Sequence, residues 1–206
     1  MCGRYVITNA VSKTSKIVKT AIKVEDSENY NAHPYQKLPV IKKYNNGNTL
    51  ENLKWGIVPS WAKKKDFKPL INARLETIDE KISFKNLIKL QRCVAVADGF
   101  YECKRVEKEK TPYYFLREDK KLIYIAGIYE EDQFCMITEE ASSNVTEIHH
   151  RQPVILNESD VNKYLNIEIS GSNYLKQSPK SQLSFYEISK DVNKPTNNNI
   201  SLIQPI

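Results

Sequence analysis

The second residue of the chain is a cysteine whose position gives it unusual chemistry. The sequence begins Met1-Cys2-Gly3-Arg4-Tyr5, and once the initiator methionine is removed Cys2 carries an α-amine and a thiol two carbons apart. Such a pair condenses with an aldehyde, because the amine forms an imine and the neighbouring thiolate closes a thiazolidine ring in an intramolecular step. The ordinary alternative is that Cys2 is a small apolar residue at the start of a strand.

A carboxylate and an imidazole are candidates for proton transfer. Glu102 directly follows an apolar segment and an aromatic pair, which places it close to the core, where a carboxylic acid can pass protons near neutral pH. His149 precedes an extended segment that contains a proline, and it can act as a general acid or base or donate to a ligand oxygen. The alternatives are a glutamate at an exposed strand end and a structural histidine.

Three further residues could bind a polar or anionic ligand. Asn72 and Arg74 alternate by two, so an extended backbone puts both side chains on one face. The amide could orient a polar intermediate and the guanidinium could bind a phosphate; alternatively Asn72 caps a solvated helix. Trp61, close to the run Lys63-Lys64-Lys65, is a candidate for stacking on a nucleobase, whereas Trp55 suits the core.

Composition restricts the classes of protein that fit. The 206 residues, 40% of them apolar, predict one domain over residues 1–206, and the net charge of +6 favours an anionic partner. Four cysteines without a C-x-x-C pair, together with three histidines, make a metal site improbable, and we expect no metal and no cofactor. There is no signal peptide pattern, and no apolar run reaches the ~20 residues of a membrane span, so we expect a cytosolic monomer with reduced thiols and no membrane contact.

The pattern of apolar residues predicts a mixed architecture made mostly of antiparallel strands. A hairpin is expected around Asn46-Gly47, a pair typical of tight turns. Helices are expected over 13–22 and 77–90 and from Asn157 or Ser159 onward, and 170–182 reads as a polar linker. The predicted strands cover 4–8, 39–44, 49–54, 92–97, 112–117, 121–127, 133–138 and 183–188. Together these predicted helices and strands indicate a single α+β domain.

Five motifs, in this order along the chain, carry a family resemblance. They are Met1-Cys2-Gly3-Arg4-Tyr5, Trp55-Gly56-Ile57-Val58-Pro59-Ser60-Trp61, Asn72-Ala73-Arg74-Leu75-Glu76-Thr77, Gly99-Phe100-Tyr101-Glu102 and His149-His150-Arg151-Gln152-Pro153-Val154-Ile155-Leu156. Together they resemble the SOS-response-associated peptidase (SRAP) family of abasic-site-processing proteins across essentially the whole chain. Asn31-Ala32-His33-Pro34 and Val192-Asn193 are weaker matches.

The resemblance implies a compact α+β fold with a mostly antiparallel, curved, barrel-like sheet and flanking helices. It implies binding of single-stranded DNA and covalent capture of an abasic site through Cys2 as a thiazolidine, which protects the strand from breakage. By motif match, Asn72, Glu102 and His149 are the catalytic partners of Cys2. Arg4 and Arg74 are expected to hold phosphates, and Trp61 to lie against the DNA. The family name also implies self-cleavage, which here would remove only Met1.

Some positions depart from the family pattern, and two other functions remain open. Cys103, Gln152 and Leu75 stand where other residues are usual, and we expect them to change packing and DNA contacts near the site. One alternative is a glutamine amidohydrolase with Cys2 as an N-terminal nucleophile, which would need an Asn-Gly oxyanion loop. The second is a single-stranded DNA-binding module without chemistry.

Overall fold

Two β-sheets, mostly antiparallel, dominate the fold. The computed structural model describes residues 3–45, 47–62 and 66–206. The strands of this part of the chain are β1 (Tyr5–Thr8), β2 (Thr20–Ile22), β3 (Glu28–Ala32), β4 (Lys37–Tyr44), β5 (Gly47–Trp55), β6 (Asn72–Arg74), β7 (Arg92–Ala97), β8 (Gly99–Val106), β9 (Glu109–Arg117), β10 (Ile123–Glu130), β11 (Gln133–Glu140), β12 (Arg151–Pro153), β13 (Ile155–Leu156) and β14 (Leu183–Glu187). The α-helices, all short, are α1 (Ala10–Thr14), α2 (Leu87–Leu90), α3 (Glu158–Leu165) and α4 (Gly171–Gln177).

The smaller sheet places the N-terminal strand in its interior. Its five strands lie in the order β14-β9-β8-β1-β3, so β1 has a neighbour on each edge. Tyr5 is paired with Phe100 of β8 on one side and with Ala32 of β3 on the other. Because β1 is held along both edges, the backbone that leads back to Gly3 has a defined direction.

The larger sheet curves into a partial ring. Its strands follow the order β12-β11-β10-β7-β4-β5-β2, and β11 also pairs with β5 at Phe134 and Trp55. Because β11 pairs back to β5, a partial ring is formed by five strands: β5, β4, β7, β10 and β11. The predicted α+β class with a curved, barrel-like, mostly antiparallel sheet is therefore confirmed.

An aromatic contact joins the two sheets. Trp55 is fully buried, and its ring lies 5.4 Å from that of Tyr5 and 6.2 Å from that of Phe134. Its indole N–H donates to the Ile71 carbonyl at 2.9 Å, so the polar atom of this core residue is satisfied. Buried aromatic pairs contribute about 0.5–1.5 kcal/mol beyond the burial of their area.

Three secondary-structure predictions were wrong, and the reasons are tertiary. Residues 13–22 form only the end of α1, and then β2, which pairs with β5 instead of continuing a helix. In the predicted helix 77–90, Ile78 and Ile82 would lie on one face, yet Ile78 is buried while Ile82 is 70% exposed. The chain instead forms turns before α2 begins. The presumed linker 170–182 contains α4, whose Leu175 is buried in the core.

The other predicted elements are present. The hairpin, the strands near 92–97, 112–117, 121–127, 133–138 and 183–188 and the helix after Asn157 all appear, some with shifted ends. In the part of the chain described, none of the helices combines the length and apolar character needed to cross a membrane.

Gly99 is the position at which substitution should disturb this framework most clearly. It starts β8 directly after Asp98, where the chain passes from one sheet to the other, and an added Cβ would collide with the Phe115 carbonyl and the Tyr114 ring. Gly99→Ala should lower the free energy of unfolding by about 1–3 kcal/mol because of this overpacking, measured by urea denaturation. Gly47→Ala is the matched control, since its Cβ would meet only the flexible Lys19 side chain; equal losses in both variants would contradict the prediction.

Candidate active site

A cleft opens beside the first described residue of the chain. It has a volume of about 270 Å³, and its wall includes Gly3, Arg4, Glu102 and His149. Cys2, the predicted nucleophile, lies outside the described residues. Its covalent neighbour Gly3 is thus the structural link between the predicted aminothiol and the predicted acid–base residues.

Glu102 and His149 reach this cleft from different sheets. Glu102 lies on β8, opposite Tyr113 of β9, and is only 7% exposed. His149 lies just before β12, and its Nε2 is 3.9 Å from Oε2 of Glu102. A carboxylate and an imidazole at this separation can exchange a proton through a substrate atom placed between them.

The His149 ring is oriented by its own loop. The Arg151 backbone N–H and the Arg151 carbonyl oxygen both lie 3.0 Å from Nδ1 of His149, and these contacts turn Nε2 toward Glu102. When Nδ1 accepts from the N–H, the proton of the neutral ring is on Nε2. Burial lowers the pKa of His149 below its usual value, and the Glu102 carboxylate only partly opposes this effect. The neutral imidazole is therefore favoured near pH 7, where its Nε2–H can donate to a ligand oxygen.

An ion pair that was not singled out from the sequence connects the two motifs around the site. Both guanidinium nitrogens of Arg151 donate to the Glu76 carboxylate, at 2.8 and 3.0 Å, and one also donates to the Thr138 carbonyl. Glu76 in turn accepts from the Glu140 backbone. Arg151 thus attaches the His149 loop to the segment after Arg74. The sequence signal for this ion pair was that Glu76 and Arg151 both belong to the matched motifs.

Arg4 is held at the cleft by Asn31 and Asn193, which belong to the two weaker sequence matches. Its guanidinium donates to Oδ1 of Asn31 at 2.7 Å and to the Asn193 carbonyl at 3.1 Å. The Asn31 side-chain amide donates to the carbonyls of Val192 and Lys194. Asn31 therefore ties the C-terminal segment to the guanidinium that the resemblance assigns to phosphate binding.

The described wall of this cleft does not include the predicted catalytic residue Asn72 or the predicted DNA-binding residues Arg74 and Trp61. Asn72 and Arg74 lie on β6, which pairs with β11 beside Met136 and Thr138; Arg74 is exposed and Asn72 is half-buried. Trp61 is 53% exposed and packs edge-on against Phe67 at 5.6 Å. The roles predicted for these residues remain predictions, and the lysine run at 63–65 lies outside the described residues.

A second cleft meets the first one at the N-terminal strand. It has a volume of about 460 Å³, and its wall shares Gly3 and Arg4 with the first cleft. The remaining wall contains Tyr35, Lys68 and Ile71. Lys68 and Ile71 are the sequence neighbours of Phe67 and Asn72, so this second cleft includes residues adjacent in sequence to both of these positions.

The first cleft also contains Cys103, which the sequence predicted only as a packing change near the site, and two cationic residues that the sequence did not indicate. Cys103, Arg105 and Lys110, all from the β8–β9 hairpin, line its wall. Burial and the neighbouring Glu102 carboxylate raise the pKa of the Cys103 thiol, which keeps this thiol protonated. The adjacency of Cys103 to Glu102 in the sequence was the signal that could have placed this thiol at the site. Among residues 3–45, 47–62 and 66–206, no three His, Cys, Asp or Glu side chains converge as metal ligands would.

Fold and site together define an α+β protein with a candidate acid–base pair beside an internally paired N-terminal strand. The family model described as SOS response associated peptidase (SRAP) matches residues 1–195. The chain therefore belongs to the SRAP family, and the predicted family membership is confirmed.

Relatives named as abasic site processing proteins match over essentially the whole chain. The chain is 32% identical to abasic site processing protein YoqW of Bacillus subtilis (strain 168), over 99% of each protein, and 30% identical to abasic site processing protein YedK of Escherichia coli (strain K12), over 100% of each. A crystal structure of a protein from Bacteroides thetaiotaomicron superposes with a TM-score of 0.82 at 22% identity, covering 100% of both chains. That likeness shows the shared fold.

The Glu76–Arg151 ion pair should stabilise the protein in a pH-dependent way. Although burial alone would raise the pKa of Glu76, the hydrogen bonds from Arg151 and the backbone lower it. The contribution is therefore present above the unfolded-state pKa of about 4.3 and is lost as the pH falls through the lower folded-state value. Glu76→Gln should cost about 1 kcal/mol of unfolding free energy at pH 7, since Arg151 is buried but Glu76 is half-exposed.

The measurement is urea unfolding at pH 7 and pH 3, with the exposed Glu80→Gln as the matched control. We expect the cost of Glu76→Gln to shrink at pH 3 and Glu80→Gln to stay near the native stability at both values. A Glu76→Gln cost equal to that of the control at pH 7 would contradict a stabilising ion pair.

Protonation of His149 should destabilise the fold. Because burial lowers its pKa, the folded protein binds this proton less readily than the unfolded chain, and stability decreases as the pH falls below about 6.5. Between pH 7.5 and 5, the unfolding free energy of the native protein should therefore fall more than that of His149→Gln, measured by urea denaturation at each pH. His150→Gln, at the exposed neighbouring position, is the control; a native pH profile in His149→Gln would disprove the assignment.

Proposed function

We propose that this protein captures abasic sites in single-stranded DNA as a covalent thiazolidine on a mature N-terminal Cys2. The observation that carries the proposal is the cleft in which Gly3, the neighbour of Cys2, shares a wall with Glu102 and His149, whose side chains approach to 3.9 Å. Relatives named as abasic site processing proteins, aligned over the full chain, support the same substrate class.

The proposed reaction forms two bonds to one carbon and releases one water. The Cys2 α-amine adds to the aldehyde of the ring-opened deoxyribose to give a carbinolamine, and loss of water gives the imine. The Cys2 thiolate then adds to the imine carbon, while the nitrogen takes up a proton and the thiazolidine ring closes. Ring closure within one residue gains a high effective molarity, on the order of 10⁵ M or more. It diverts the imine from β-elimination and so from strand breakage.

The acid–base pair would move the protons of this sequence. Glu102, buried and close to Nε2 of His149, takes the proton that opens the sugar ring and returns one to the departing hydroxyl of the carbinolamine. His149, neutral at pH 7 because burial lowers its pKa, donates from Nε2 to the sugar oxygen. Asn72 positions the intermediate from β6. Positioned acid–base groups typically contribute about 10²–10⁴-fold to a rate.

Cationic side chains would hold the DNA strand across the two clefts. Arg4, fixed by Asn31 and Asn193, stands between the clefts, and Arg74 is exposed on β6. Each phosphate neutralised on single-stranded DNA steepens the slope of log K against log salt by about 0.7. Trp61, exposed beside Phe67, offers a ring on which a base can stack.

The remaining cysteines are poor substitutes for Cys2 in this proposal. Cys93 and Cys135 are buried in the core, and burial raises the pKa of both thiols. Cys103 reaches the cleft, but burial and Glu102 raise the pKa of its thiol as well. None of the three is an N-terminal residue, so none can supply the amine. The α-amine of Cys2 becomes available only when Met1 is removed, by self-cleavage or by an aminopeptidase.

The glutamine amidohydrolase alternative finds less support. Its Asn-Gly oxyanion loop would have to be Asn46-Gly47, since no other such pair occurs. Asn46 lies outside the described residues, and Gly47 pairs with Tyr44 at the end of the β4–β5 hairpin. Neither Gly47 nor Tyr44 belongs to the described walls of the two clefts at Gly3.

The decisive experiment is a denaturing gel of the protein incubated with an abasic single-stranded oligonucleotide and boiled before loading. The native protein should give a band of protein joined to DNA, and Cys2→Ala should lose this heat-stable band while still binding the oligonucleotide. Cys103→Ala is the matched control, because it removes a cleft thiol without touching the aminothiol, and it should retain the band.

Three outcomes would overturn the proposal. A Cys2→Ala adduct as durable as that of the native protein would show that the aminothiol is not the capturing group. Salt-dependent DNA binding with no heat-stable product would instead support a binding module without chemistry, and release of ammonia from glutamine would support the amidohydrolase.

A further inference from the structure

A second concave site, larger than either cleft, lies at the other end of the β8–β9 pair. Its volume is about 750 Å³, and it is bounded by α1, the β9–β10 turn and the start of α3. Pro112 lines the active-site cleft and Arg117 lines this cavity, and both lie on β9. Five residues of antiparallel strand separate them by about 17 Å.

Cations dominate the wall of this cavity. The cationic side chains that line it are Lys13, Lys16, Arg117, Lys120 and Lys121. The carboxylates in the wall are Asp98, paired with Lys13 at 2.5 Å, and Glu158, which accepts from the Tyr124 hydroxyl at 3.1 Å. Lys16 and Lys120 are exposed and form no ion pair with any described residue. The cavity therefore has a surplus of positive charge at these two lysines.

Arg117 is held in place by a network of its own. Its guanidinium makes two 2.8 Å hydrogen bonds to the Asp119 carboxylate, and its third nitrogen donates to Oδ1 of Asn157 and to the Ser181 hydroxyl. The hydrogen bonds to Asp119 raise the pKa of Arg117, so its charge is fixed. A cation fixed in this way is oriented before any ligand arrives.

The start of α3 adds backbone donors to the same wall. Asn157 occupies the N-cap position of α3 but makes no side-chain capping bond, because its Oδ1 accepts from Arg117 instead. Asn157, Glu158 and Ser159 line the cavity, so the first turn of α3 presents the N–H groups of Glu158 and Ser159 there, whereas the Asp160 N–H donates to the Asn157 carbonyl at 2.9 Å. Helix N-termini with free N–H groups favour anions, and phosphates in particular.

We propose that this cavity binds a phosphate group, through Lys16, Lys120 and the first turn of α3. The space exceeds that of one phosphate and suits a nucleotide or a phosphodiester segment. The phosphate group could come from either of two sources: the backbone of the DNA that flanks the lesion, or a free nucleotide or pyrophosphate. The DNA source rests on the proposed function, and the separation of about 17 Å corresponds to at most about five nucleotides of an extended single strand, whose spacing is at least the rise of about 3.4 Å in a B-form strand.

The test compares Lys16→Ala/Lys120→Ala with Lys85→Ala/Lys89→Ala, a pair of exposed lysines at α2 that gives the same change in charge. The DNA probes are two abasic single-stranded oligonucleotides, with roughly two or roughly twelve nucleotides on each side of the lesion, a choice that follows from the five-nucleotide separation. Fluorescence anisotropy at several salt concentrations gives the affinity and its salt slope. Calorimetric titration with pyrophosphate tests the free ligand.

If the source is DNA, the first variant should lose the affinity gained on lengthening the oligonucleotide, and its salt slope should become shallower by about 1.4, or 0.7 for each lysine. If the source is a free ligand, pyrophosphate should bind the native and control proteins and bind the first variant at least about tenfold more weakly. An unchanged long-oligonucleotide slope together with no binding of pyrophosphate by the native protein would overturn the proposal.

Failure of the proposed function can be recognised separately. On the short oligonucleotide, Lys16→Ala/Lys120→Ala should give the same heat-stable band as the native protein. Absence of the band from the native protein would count against covalent capture, and the pyrophosphate titration would still decide whether the cavity binds phosphate.

Discussion

The site depends on the pairing of β1 along both of its edges. Tyr5 is hydrogen-bonded into a sheet between Phe100 and Ala32, and its buried ring contacts Trp55 in the partial ring of the larger sheet. A chain terminus is usually poorly ordered unless it is tied down in this way. Because β8 is the direct neighbour of β1, the same ladder that fixes Gly3 also sets its distance from Glu102, and a terminal group used in chemistry requires this constraint.

The other half of the site comes from the larger sheet and is attached by charge. His149 belongs to a loop rather than a strand, so its position depends on what holds that loop. The buried Arg151 guanidinium joins the loop to Glu76 and to Thr138 of β11, and its backbone N–H orients the imidazole. Because Arg151 is buried, removal of its half-exposed partner Glu76 would leave a buried charge without compensation. The ion pair fixes a geometry, because it joins two segments that are distant in sequence but meet at β11.

Much of the molecule could be predicted from its sequence. The apolar runs at 92–97 and 133–138 predicted strands because continuous burial leaves a local pattern, and the motifs around Glu102 and His149 predicted residues that the fold brings together. The helices expected over 13–22 and 77–90 did not form because β2 pairs with β5 and because Ile78 is buried whereas Ile82 is exposed. Neither of these tertiary facts is visible in the local sequence. The basic cavity could not be predicted, since Lys16 and Lys120 become neighbours only when α1 meets the β9–β10 turn.

In the proposed capture reaction, one residue, the mature Cys2, supplies both atoms that bind the sugar carbon. The most direct measurement is peptide mass spectrometry of the protein after reaction with an abasic single-stranded oligonucleotide and nuclease digestion. If the thiazolidine forms on Cys2, the N-terminal peptide begins at Cys2, lacks Met1 and carries the sugar remnant on that residue with the loss of one water. A modified peptide that retains Met1, or a sugar remnant attached to another residue such as Cys103 or a lysine, would contradict this proposal.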